Sequence, residues 1–221
     1  MVRDQEWVER TFGRFAWRDD PARRGAIEML GEWVRQSIVS LAPPFELRDG
    51  GGRPLSVIRC HSKVAPALER ALADLAARKL GHLVNTFDGC FTPRHMGWDP
   101  RRPLSRHSWG IAVDVNARLF PFGSRARQDP RLIAAFGRQG FTWGGEWREP
   151  DPMHFEIVDL AQPVQPISIL VDGERVAEGF LHEGRAVAPV REIAEALGGR
   201  VAARLEAGEV EIQTPSGGDS I

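Results

Sequence analysis

LSRHSWGIAVDVN, residues 104–116, is the stretch from which the rest of this chain can be read. Ile111, Val113 and Val115 alternate with Gly110, Ala112, Asp114 and Asn116, the period of two expected of a strand with one face in a core. The second face carries two very small residues beside an aspartate. That spacing predicts open space against the strand, and His107, just before it, can swing into the same space. DPMHFE (151–156) repeats the alternation: Met153, Phe155 and Ile157 form an apolar face, and His154 and Glu156 form the other. Two histidines and one carboxylate make a three-ligand set that suits Zn²⁺ and leaves the fourth tetrahedral position for water. The candidate ligands are His107, Asp114 and His154, with one ion per domain. Asp151 is then the acid placed to accept a proton from water whose pKa falls from about 15.7 to about 7 on the metal. Taken singly, each half has a plainer reading: a histidine beside a strand is usually structural, and Asp114 could cap a turn. Their joint occurrence favours the metal.

Length and charge narrow the partners. The chain has 221 residues, enough for one domain with a sizeable core and a small appendage. Lys and Arg number 29 against 30 Asp and Glu, so a net charge of −1 makes no electrostatic case for nucleic acid or an anionic membrane. A hydrophobic content of 42% with 27% charged residues argues for a globular chain, and no apolar stretch approaches a membrane span. The start, MVRDQEWVERTFGRF, has no apolar core of a secretory signal. Cys60 and Cys90 fit no CxxC pattern and read as two buried thiols rather than a bridge.

The organisation predicted along the chain is α+β. AIEMLGEWVRQSIVSL reads as a helix, since Ile27, Leu30, Val34, Ile38 and Leu41 recur at helical spacing and Pro43 and Pro44 follow. RDGGGRP (48–54) is a turn, and LSVIRC a short strand. KVAPALERALADLAARKLG is a helix with Val64, Leu68, Leu72 and Leu75 as its stripe and Gly81 as its close. Residues 88–103 read as a long loop. DPRLIAAFGRQG is a helix with Asp129 as N-cap, Pro130 at the first position and Gly140 beyond its end. This first domain spans residues 1–160. AQPVQP (161–166) reads as a linker to a β-rich module over 167–214. In it, ISILVDGERV is a hairpin turning on Asp-Gly, APVREIAEALGG a helix, and RVAARLEAGEVEIQT a second hairpin turning at Ala207-Gly208. The tail, 215–221, is expected to be disordered.

SRHSWGIAVD (105–114) matches the SxHxxGxAxD signature of the VanY-like D-alanyl-D-alanine carboxypeptidase and L-alanyl-D-glutamate endopeptidase family of zinc peptidases, and DPMH resembles its second motif. GCFTPR (89–94) and GFTWGGEW (140–147) are similar to the flanking segments, so the resemblance covers roughly residues 25–158. It implies that His107, Asp114 and His154 bind zinc and that Asp151 is the general base, where many members have glutamate. Arg94 is similar in position to an arginine over the site, where a guanidinium would stabilise the charge that builds on a carbonyl oxygen during hydrolysis. Ser105 would orient a substrate or a neighbouring loop, and Trp143, Trp147 and Trp109 either wall the cleft or simply pack.

The resemblance implies peptide stems of bacterial peptidoglycan as the substrate, cut by carboxypeptidase or endopeptidase action. A location outside the cytoplasmic membrane is therefore expected; since no export signal is read, either the start is incomplete or the protein leaves by another route, such as phage-type release. The alternative is a non-catalytic zinc-containing binding domain of the same fold. The terminal module resembles the copper-amine-oxidase N-terminal-like (stalk) domain of bacterial cell-surface proteins, which implies an accessory placing role without a copper site. His61, His82, His95 and His182 belong to no paired motif and read as structural.

Overall fold

The computed structural model describes residues 4–158, 160, 165–182, 185–187, 190–204 and 209–213. Two units separate within it, Met1–Ala161 and Gln162–Ile221, and both mix helix with small antiparallel sheets in an α+β arrangement.

Helix α1 (Gln5–Phe12) starts where the Asp4 carboxylate accepts from the Trp7 amide at 2.7 Å, and it buries Val8 and Phe12. Where one helix was expected over 26–41, the chain instead forms β2 (Ile27–Leu30), a single helical turn α2 (Trp33–Ser37) and β3 (Ile38–Leu41). Strand β2 pairs with β1 (Ala16–Asp19), a hairpin that apolar spacing did not reveal. The physical reason is twofold. Gly31 sits at φ +75°, which breaks a helix, and the strands gain distant partners that outweigh local helical spacing.

A small hairpin of β4 (Leu47–Arg48) and β5 (Pro54–Leu55) closes over Asp49, whose Oδ1 accepts from the Gly51 and Arg53 amides. Strand β6 (Ile58–His61) pairs with β3, and helix α3 (Ala65–Ala77) follows. The predicted stripe of Val64, Leu68, Leu72 and Leu75 is fully buried. The helix ends earlier than expected, with Lys79 at φ +56° and Gly81 opening a 3₁₀ turn.

The sheet that matters for function has the order β7 (Phe87–Gly89), β8 (Ala112–Val115), β10 (His154–Ile157), β9 (Phe141–Trp143), with all neighbours antiparallel. Helix α4 (Pro130–Gly137) begins on the Asp129 cap and packs Phe136 against Phe155 and Phe141. Val113, Val115, Phe155 and Ile157 share one continuous core with the α3 stripe and with Leu132. Burying those side chains, at about 1.5–3 kcal/mol each, is what holds the two site-bearing strands in place.

Two expectations about the second face of the strand read over 110–116 change. Gly110 sits at φ +65°, and a Cβ there would lie 2.9 Å from the His61 amide, so the glycine serves a close backbone approach. Asn116, at φ +59°, turns out of the strand; its Oδ1 accepts from the Asn85 and Thr86 amides and its Nδ2 donates to the Leu83 carbonyl. Cys60 and Cys90 are both buried free thiols, and burial pushes the Cys60 thiol up to about 12.

The C-terminal unit contains a sheet of β11 (Gln165–Val171), β12 (Glu174–His182) and β13 (Arg185–Val187), then α5 (Val190–Ala196) and a hairpin of β14 (Arg200–Arg204) and β15 (Glu209–Gln213). Asp172 and Gly173 both adopt positive φ at the predicted first turn, as a type I′ hairpin requires. Strand β11 opens at Gln165, inside the segment read as a linker. Residues 161–164, the turn at Ala207-Gly208 and the tail 215–221 lie outside the described residues.

Candidate metal centre

Ser105 caps the 3₁₀ turn Arg106–Trp109, its Oγ accepting from the His107 amide at 3.4 Å, and left-handed Gly110 ends that turn so that β8 can begin. Ser105 therefore acts on the backbone that carries His107. The His107 Nδ1 lies 2.9 Å from the Cys90 carbonyl, which can only accept. The ring proton must sit on Nδ1, which leaves the Nε2 lone pair pointing inward.

Asp114 and His154 are direct register partners across β8 and β10. His154 Nδ1 is 2.9 Å from Asp114 Oδ1, while its Nε2 is 3.3 Å from Glu156 Oε2. His107 Nε2 completes the triangle, 3.1 Å from Asp114 Oδ2 and 3.3 Å from His154 Nδ1. Tetrahedral zinc with bonds of about 2.0–2.1 Å places its ligand atoms roughly 3.3 Å apart, so two imidazoles and a carboxylate at these spacings fit zinc in number, type and separation. These three residues are buried and form the only such donor group among the described residues.

The electrostatics favour positive charge beside Asp114. Burial would raise the Asp114 pKa, yet His107 and His154 beside it hold it well below the carboxylate range. Burial also opposes charge on His154, but hydrogen bonds to Asp114 and Glu156 outweigh it and push its pKa up to about 10. The triangle thus calls for a positive charge at its centre, carried by a proton or by a metal ion.

A cavity of about 600 Å³ opens over this triangle and is lined by Arg94, Trp98, Ser105, Asp114, Trp147, Asp151 and His154 among others. Arg94 Nη2 is 3.5 Å from Asp114 Oδ2, whereas its Nη1 is buried with no hydrogen-bond partner. Its backbone is clamped by Ser108, whose Oγ accepts from the Arg94 amide at 2.9 Å and donates to the Arg94 carbonyl at 2.8 Å. The loop before β2 braces the same segment: Gly25 accepts from His95, and a Cβ on Gly25 would lie 2.1 Å from the Trp98 carbonyl oxygen. Asp151 Oδ1 is likewise buried without a partner, and burial pushes the carboxyl up to about 6.

Residues 98–157 match the family model described as D-alanyl-D-alanine carboxypeptidase. No curated protein and no solved structure gives a significant match. The match supports a peptidase. It contains His107, Asp114, Asp151, His154 and Ser105, begins four residues after Arg94, and stops short of the C-terminal unit, so the stalk-like resemblance rests on sequence pattern alone.

For such a peptidase the three tryptophans named for the cleft part company. Trp147 lines it, with its ring 5.4 Å from that of His154. Trp143 lies outside the lining, its Nε1 donating to the Pro152 carbonyl at 2.8 Å and Arg127 stacked on its ring. Trp109 is buried and donates to the Gly13 carbonyl. Trp98, which sequence reasoning passed over, supplies a further aromatic wall along with Phe122 and stacks on the Arg94 guanidinium at 5.3 Å. Met153, assigned to the apolar face, lines the cleft instead, because β10 begins only at His154. Ser108 was also missed. The alternation in HFE already placed Glu156 on the His154 face, but its contact with the His154 ring was not read from it.

Proposed function

We propose that this protein is a zinc-dependent peptidase acting on the stem peptides of bacterial peptidoglycan, of the D-alanyl-D-alanine carboxypeptidase or L-alanyl-D-glutamate endopeptidase type. One observation carries the reading: an uncommitted carboxylate oxygen on Asp151 and an uncommitted guanidinium nitrogen on Arg94 line the same cleft as the ligand triangle. Buried polar atoms without partners are costly in a fold, and a site that uses them in a reaction accounts for their retention.

Zinc on His107, Asp114 and His154 would supply Lewis acidity, lowering the pKa of a water to about 7 and polarising a carbonyl group. Asp151 Oδ1 takes the proton from the attacking water and hands it to the departing amine. Its raised pKa suits both tasks near neutral pH, since the carboxylate is ionised yet basic enough to hold the proton in passing. Arg94 Nη1 donates to the carbonyl oxygen as that atom gains negative charge, and the contact of Nη2 with Asp114 keeps the guanidinium in position. Trp147, packed against His154, shields one side of the centre from water.

Cell-wall peptides are the substrate class in this reading, and an extracytoplasmic site of action goes with them. Among the described residues no helix is long and apolar enough to cross a membrane. The test is digestion of purified peptidoglycan by the zinc-loaded protein, with released fragments identified by mass spectrometry. Free D-alanine is the carboxypeptidase outcome, and cleavage after L-alanine the endopeptidase one. Intact stems after exposure to folded, zinc-loaded protein would leave a metal-binding domain without this catalysis.

A further inference from the structure

Glu156 is 3% exposed, lies in the middle of the sheet on β10, and has no part in the proton transfers above. Its Oε2 is 3.3 Å from the Nε2 of His154, on the side of the ring away from Asp114. Arg106 approaches the same oxygen, with Nε at 3.9 Å, and donates from Nη1 to the Gln5 side-chain oxygen at 2.9 Å. A continuous polar chain therefore runs from α1 through Gln5, Arg106 and Glu156 to His154.

We propose that Glu156 is a positioning residue for His154, holding the ring proton on Nε2 so that Nδ1 is the atom offered to the metal. This rests on the zinc reading and extends it to a residue which that reading leaves idle. Imidazole has two tautomers, and the wrong one would place a proton on Nδ1, where Asp114 Oδ1 stands 2.9 Å away to receive it. In that state the triangle closes as a plain hydrogen bond. For His107 the same choice is made by the Cys90 carbonyl, a backbone group present whatever the side chain. For His154 it depends on one carboxylate, whose charge Arg106 offsets. An acceptor behind a metal-bound histidine is commonly worth 10–100-fold in metal affinity.

The experiment measures zinc dissociation constants by chelator competition for wild type, Glu156→Ala and Glu156→Gln. Nitrogen-15 NMR of the His154 ring in the zinc-loaded proteins accompanies it. The expected result is Nδ1 coordination with a protonated Nε2 in wild type and roughly 10–100-fold weaker zinc in Glu156→Ala. Glu156→Gln, which keeps an acceptor oxygen, recovers most of that loss. Should Glu156→Ala fail to fold, the isosteric Gln variant and the wild-type ring signals decide. Zinc held equally tightly by a folded Glu156→Ala, or His154 coordinated through Nε2, overturns the proposal and leaves the zinc reading standing. A wild type that takes up no zinc removes both.

Discussion

Asp114 and His154 face each other as register partners on β8 and β10, with Oδ1 and Nδ1 2.9 Å apart, so a carboxylate and an imidazole are fixed by the pairing of two core strands. His107 reaches them from a turn whose geometry is set by a serine cap and a left-handed glycine. Groups mounted on sheet backbone keep their spacing better than groups on loops, which is what a metal set with a separation tolerance of a few tenths of an ångström needs.

That pairing makes His154 the ligand whose loss is easiest to detect. Purified wild type is expected to carry one zinc per chain, and His154→Ala to carry little, as measured by elemental analysis after dialysis. Equal zinc in the two proteins would rule out the triangle as the metal site.

Asp151→Asn is expected to retain zinc and fold while losing about 10²–10⁴-fold in turnover, because an amide cannot take the proton from water. Single-turnover rates on a soluble stem peptide measure this. Activity within a few-fold of wild type, with zinc bound, would move the base elsewhere, with Glu156 as the next candidate.

Arg94→Lys separates binding from catalysis. A lysine keeps the charge but cannot contact Asp114 with one nitrogen and serve the carbonyl oxygen with another, so kcat should fall more than KM rises. A rise in KM alone would make Arg94 a group that binds ground-state substrate.

His61 provides a test of stability away from the cleft. Its Nε2 donates to the Phe12 carbonyl and its Nδ1 accepts from the Lys63 amide, so the buried ring is neutral, and burial lowers its pKa below 6.5. Below 6.5 the unfolded chain takes up a proton that the folded chain refuses, so this ring favours the folded state above 6.5 and loses that advantage as pH falls toward its depressed value. Denaturant titrations at pH 7.5 and pH 5.5 should show a smaller acid-induced loss in His61→Gln than in wild type. An identical pH slope would mean that this ring is not a source of acid sensitivity.

A chain ending at Gln162 should fold and cleave soluble stem peptides as the full chain does. Among the described residues, the core of the first unit runs from Trp7 to Leu160 and every cleft residue lies between Gln5 and Glu156. Side-by-side kinetics on one peptide check this. A large loss of activity in a folded, zinc-loaded truncation would assign the C-terminal unit to the active site.

The grouping of His107, Asp114 and His154 was legible in part from local geometry, because a strand alternates its side chains whatever it pairs with, and in larger part from the resemblance of the two histidine-bearing motifs to a family signature. The Asp129-Pro130 helix start and the Asp172-Gly173 turn were legible for the first of these reasons, since caps and tight turns depend on adjacent residues. Residues 26–41 were not. Their apolar spacing satisfies a helix, and only pairing with β1 and β6 makes strands of them. The choice of Trp98 over Trp143 as a cleft wall, the Ser108 clamp on Arg94 and the acceptor behind each histidine were likewise decided in three dimensions. Cys90 stands 17 positions before His107, and Arg94 stands 20 before Asp114. Such neighbours meet only when burial of the shared core folds the chain back on itself, and no period along the sequence encodes which of them will meet.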